Sequence, residues 1–138
     1  MNTVVHELHF RVKHVAPDVR VVGVSSVTAD AMEASWRSGT VIERASANTI
    51  ADGIAVRTPV PEALEDMKGL VDDVVLVSED GLVHAMKMMF DRAGLVIEPA
   101  GIAGVAAVLE HQHLRSERLA TILCGSNLTS EQINTWLR

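Results

Sequence analysis

The chain has no tyrosine, two tryptophans and two phenylalanines, so aromatic residues make up only 3 % of its 138 positions. Proteins that hold nucleic acids by stacking need several exposed rings, and this shortage argues against such a role. Basic residues are scarce too. Twelve Lys and Arg against eighteen Asp and Glu leave a formal charge of -6, which disfavours a phosphate-backbone partner. A single cysteine, Cys124, excludes an internal disulfide, and without a C-x-x-C partner it is a weak start for zinc. No apolar run reaches the roughly 20 residues of a membrane span, and the first residues lack a signal-peptide pattern. The expectations are a cytoplasmic protein with no membrane and no nucleic-acid partner.

What is present is aliphatic. Hydrophobic residues reach 48 %, enough for a core built from Val, Leu, Ile, Met and Ala in a single α/β unit over residues 1–138. Val5, Leu8, Val12 and Val15 recur at helical spacing over 4–15, ahead of Pro17. "VRVVGVSS" (19–26) is a β-branched run of buried-strand type, followed by Thr28 as an N-cap with Asp30 in the first turn. Met32 and Trp36 share a face of that helix, and Gly39 ends it. Asp52-Gly53 marks a turn, residues 62–70 a short helix ending at Gly69, and "VDDVVLVS" (71–78) a second strand. Ser78-Glu79-Asp80 opens a helix whose apolar face is Leu82, Met86, Met89 and Phe90, closed by Gly94. Residues 100–114 form a helix rich in Gly and Ala, able to lie very close to a neighbour. "ATILCG" (120–125) reads as a third strand, and Thr129 with Gln132 offers a capping box for a last helix. Alternating strands and helices predict a small parallel sheet of about three strands flanked by helices.

Open parallel sheets bind ligands at the carboxyl ends of their strands. Three segments fit: Ser25-Ser26, Ser78-Glu79-Asp80, and Cys124-Gly125-Ser126-Asn127. The last puts a thiol, a flexible glycine, a hydroxyl and an amide in four residues, suited to a polar ring or a phosphate. On spacing alone it reads as a plain strand-to-helix turn, since such turns are common. Cys124 lacks the sequence signature of a base-paired nucleophile, and small buried filler is its bland role. His6-Glu7-Leu8-His9 has its histidines at i, i+3 rather than the i, i+4 of a metalloprotease helix. It reads as solvated surface, as does His111-Gln112-His113. Glu98, in "LVIEPAG", either projects into a cleft or accepts N–H groups at a helix start.

In order, "ANTIADGIAV" (47–56), "LVDDVVLVSEDGLVHAM" (70–86), "LVIEPAGIAGVAAVL" (95–109) and "TILCGSN" (121–127) resemble the fold-type II pyridoxal-phosphate enzymes. The serine/threonine dehydratases and serine racemases are the members in view. The resemblance covers about residues 12–138 and leaves 1–11 divergent. It implies the C-terminal portion of the large domain of the tryptophan-synthase-beta-like fold. It also implies that Cys124 faces the cofactor's pyridine nitrogen, with Gly125, Ser126 and Asn127 completing the turn. A neutral group there leaves the ring nitrogen less protonated than a carboxylate would. Glu98 matches the glutamate beside the cofactor ring, and Gly53, with Asp52, the loop closing one pocket edge.

Other family parts have no counterpart. Lys13, Lys68 and Lys87 do not sit in the context of the cofactor-bearing lysine, so no catalytic residue is assigned. Met1-Asn2-Thr3 stands where the phosphate-binding glycines belong. Ser25 and Ala31 occupy the positions of a glutamate and an aspartate that hold a divalent cation in some members, so no metal site is expected. The expectation is a fragment or stand-alone part of a dehydratase-like lyase. Pyridoxal phosphate is its family cofactor, not held by this chain alone, and the chain is inactive by itself. It would pair as a homo-oligomer or with a chain supplying the missing half. The rival is a non-enzymatic, self-associating or partner-binding α/β module.

Overall fold

The structure, a computed structural model, describes residues 11–138. Residues 11–15 are helical, so part of the helix expected over 4–15 is seen. Its earlier part, the His6–His9 pair and the missing-glycine reading at residues 1–3 lie outside the described residues.

Two parallel strands make the sheet: β1 (Val22–Ser26) and β2 (Asp73–Val77), in register from Val22 opposite Asp73 to Ser26 opposite Val77. Between them come α1 (Ala31–Ser38), a 3-10 turn (Asp52–Ile54) and α2 (Pro61–Met67). After β2 follow α3 (Glu79–Ala93), α4 (Pro99–Glu110), a second 3-10 turn (Gln112–Leu114) and α5 (Ser130–Trp136).

Side-chain alternation along the strands makes two cores. On one face Val75 and Val77, with the partly buried Val22 and Val24, meet Leu82 and Met86 of α3 and Ile102 and Ala106 of α4. On the other, Val21, Val71 and Val74 pack with Val12, Trp36 and Met67. The sheet is thus covered on both sides, as a parallel sheet requires.

The stops read at Gly39 and Gly94 hold, whereas the helices expected over 62–70 and 100–114 end earlier, at Met67 and Glu110. Gly39 (φ 72) and Gly94 (φ 65) end α1 and α3 in the left-handed conformation that glycine tolerates without a Cβ penalty. Thr129 and Gln132 form the reciprocal capping box of α5, with N–H to oxygen distances of 2.9 and 3.2 Å. The start of α1 differs from expectation. Its N-cap is Asp30, and Thr28 is not used. Arg44 grips the Asp30 carboxylate through two 2.8 Å bonds, while the Thr28 hydroxyl donates to Glu79.

The third strand is a larger correction. Residues 118–129 contain no strand, and residues 115–127 are exposed. A strand exists only where a neighbouring main chain answers its hydrogen bonds. Here a cavity of about 470 Å³ separates β1 from residues 118–121, so no partner is in reach. The segment is held instead by α4. A Cβ on Gly101 would overlap the Cys124 carbonyl, and one on Gly104 would overlap the Thr121 side chain. The close approach expected of this small-residue helix is made to that segment.

Candidate functional site at the start of helix α4

Glu98 is the N-cap of α4, in extended conformation (φ -72, ψ 158), and Pro99 occupies the first helical position. Its main chain and side chain both reach the 124–127 turn. The Glu98 N–H donates to the Gly125 carbonyl at 3.0 Å, and its carboxylate accepts a long 3.4 Å contact from the Asn127 N–H. The side chain makes no cap bond to its own helix. The backbone of Glu98 takes the helix start, while its carboxylate lies against Gly125 and the Asn127 N–H rather than capping α4.

Gly125 makes this possible. It has φ 73, and the Glu98 carboxylate fills the space a Cβ would need. Both features call for glycine. Gly53 comes from the other side, on the 3-10 turn, where an added Cβ would stand 2.9 Å from the Ala100 Cβ. Glu98, Gly53 and the Cys124–Asn127 turn therefore converge on the first turn of α4. Cys124 is exposed, which removes the reading of it as buried filler. The Cys124 thiol, the Ser126 hydroxyl and the Asn127 side-chain amide make no hydrogen bond to another described residue.

The other two strand ends are closed upon themselves. Glu79 accepts from the Ser26 hydroxyl (2.6 Å), the Thr28 hydroxyl (2.8 Å) and the Ile50 N–H (2.8 Å). Burial works against its charge, yet these bonds and one from Thr49 prevail and hold its carboxyl below the usual value. Glu79 so fastens the end of β1 to residues 49–51, immediately before the turn bearing Gly53. Sequence reading caught its place at the positive end of α3 but missed this role, since all its partners lie far away in the chain. The Ser78 hydroxyl accepts from the Gly81 N–H at 2.9 Å and donates to Glu110. His111, expected to be solvated, is half-buried, and its Nε2 donates to the Leu76 carbonyl at 2.8 Å. His113 is exposed.

These residues suit one edge of a pyridine-type cofactor and no more. A thiol able to share a proton with a ring nitrogen, a glycine turn and a carboxylate are present. The three lysines are engaged elsewhere: Lys13 with Asp72 (2.6 Å), Lys68 with Glu65 (2.6 Å), and Lys87 with Asp91 (3.4 Å). No described amine stands at the turn to meet an aldehyde. The first turn of α4, Pro99-Ala100-Gly101-Ile102, has no basic residue to bind a phosphate by charge. The group as a whole does not fit the residues described. Ser25 and Ala31 are buried, at 6 % and 0 % exposure, and no three described His, Cys, Asp or Glu residues form a metal cluster. No described helix is long and apolar enough to cross a membrane.

Residues 8–125 match the family described as "Pyridoxal-phosphate dependent enzyme". The L-threonine ammonia-lyase of Thermotoga maritima is 34 % identical over 123 residues, which are 89 % of this chain and 31 % of that protein. The catabolic L-threonine dehydratase TdcB of Escherichia coli K12 is 33 % identical over 126 residues, 89 % of this chain and 38 % of its own length. Among solved structures, the T.th. threonine deaminase superposes with a TM-score of 0.84 at 31 % identity. That match covers 90 % of this chain and 46 % of the other. Maize serine racemase gives 0.82 at 27 % identity, with 95 % and 41 % covered. The chain thus spans about a third of the length of the curated relatives it matches.

Proposed function

This chain belongs to the pyridoxal-phosphate dependent enzyme family, and on that premise we propose that it forms the ring-facing wall of a serine/threonine dehydratase-like lyase site. The observation that carries the reading is the junction of Glu98 with the Cys124–Asn127 turn at the start of α4. It leaves the Cys124 thiol exposed on the turn that holds the Glu98 carboxylate. In such a lyase the cofactor supplies an electron sink for loss of the α-proton and β-hydroxyl of a hydroxy-amino acid. The Cys124 thiol would meet the ring nitrogen without protonating it fully. Glu98 would hold the turn, and the Gly53 turn would limit one edge.

The proton-moving amine is not supplied by these residues, and covalent catalysis of this type needs one. By itself the chain therefore has no dehydratase turnover. It works in the cytoplasm as one part of a larger assembly. Purified chain incubated with pyridoxal phosphate and L-threonine or L-serine should yield no 2-oxobutyrate or pyruvate. Formation of either product in proportion to protein, and absent from a boiled control, would overturn the reading.

A second reading is a binding module derived from the same fold. It is favoured by the exposed Val19, Leu119, Ile122 and Leu123, which are 46, 51, 49 and 39 % accessible. Grouped apolar exposure of this kind marks a surface meant to be covered.

A further inference from the structure

Residues 116–124 run between two clips on α4. At one, the Arg115 guanidinium donates to the Val108 and Leu109 carbonyls at 3.2 and 2.9 Å, near the end of that helix. At the other, the Gly125 carbonyl accepts the Glu98 N–H at 3.0 Å, where the chain turns at φ 73. Between the clips, among the described residues, no main-chain N–H or carbonyl bonds outside the segment. Its hydrogen bond is internal, from the Ser116 hydroxyl to the Arg118 carbonyl at 2.8 Å. Neither core includes a residue from 116 to 124, although Leu114 and Leu128 on either side pack against the larger one. Every residue of the segment is exposed. What seats it is shape. The Cys124 main chain lies where a Cβ on Gly101 would be, and the Thr121 side chain where one on Gly104 would be. A piece of chain with little buried surface and no outside hydrogen bonds to lose opens at far lower cost than a core does.

We propose that residues 116–124 form a strap, hinged at Arg115 and Gly125, that lifts from α4 as one piece while both cores stay folded. Seated, it presents Cys124 beside the first turn of α4. Lifted, it withdraws Cys124 and bares Gly101 and Gly104. The strap goes beyond the reading above, and only the ring-facing role of Cys124 rests on it.

Trypsin tests this on the 138-residue chain, because the Arg118–Leu119 bond lies within the strap. The expected result is cleavage there at a rate that stays within about twofold as urea is raised toward the unfolding transition, since a local opening exposes little new surface. Gly101→Ala sets a methyl group against the Cys124 main chain, so it should speed that cleavage by about tenfold while the urea midpoint of the cores stays in place. Gly104→Ala, set against the Thr121 side chain, should act in the same direction. Cleavage that climbs with urea in parallel with loss of helical circular dichroism would show that the segment opens only with the cores, and would overturn the proposal. So would a Gly101→Ala chain that fails to fold or unfolds at lower urea, or an unchanged cleavage rate in both variants. Dehydratase turnover by the chain alone would instead strike the functional reading and leave the strap standing.

Discussion

At Glu98 the main chain starts a helix while the side chain leaves it to rest on Gly125, and each depends on the other residue's identity. Gly125→Ala must adopt φ 73 and displace the carboxylate at once. The left-handed conformation alone costs an alanine about 1–2 kcal/mol, and the overlap adds to it. Urea denaturation should show a loss of about 1–3 kcal/mol. Cys124→Ser, at an exposed side chain with no internal bond, should change stability by less than about 0.5 kcal/mol. A cost near that of the glycine variant would mean that the thiol supports the fold.

At the scale of elements, Glu79 joins pieces that the sequence keeps far apart. Its carboxyl value is lowered in the folded chain from an ordinary 4.5. The stabilisation it gives is therefore complete above that value and is lost as pH falls through the lower, folded one. Glu79→Gln retains one acceptor oxygen where Ser26, Thr28 and Ile50 use two. The variant should be destabilised by about 1 kcal/mol at neutral pH, after allowance for solvent screening, and less so in acid. Urea midpoints at neutral pH and in acid would check this. A difference that does not shrink in acid would show that the charge is not the source.

The elements also divide by how far they can be read from sequence. Gly39, Gly94 and the Thr129–Gln132 pair act within a few residues, and the sequence revealed them. So did the small residues of α4, although which segment they admit was visible only in three dimensions. Residues 120–125 have strand composition but no strand, because pairing belongs to the neighbour and not to the segment. Glu79 and His111 escaped for the same reason: their partners lie 29 to 53 and 35 positions away. Glu98, Gly53 and Cys124–Asn127 were singled out through resemblance to a family. Their convergence on one helix start came from the fold.

For the whole molecule, two cores and a doubly covered sheet coexist with an exposed wall from residue 115 to 127. The sheet is covered on both faces, and among the described residues β1 pairs with β2 alone. The chain matches its relatives over nearly its whole length while spanning about a third of theirs. The central claim is that this chain alone offers one wall of a cofactor site. Equilibrium dialysis of pyridoxal phosphate against the chain and its Cys124→Ala variant tests it most directly. The account predicts weak, unsaturating uptake, equal for both and no greater than the chain's three lysines would give. Saturable one-to-one binding that the variant loses would contradict it.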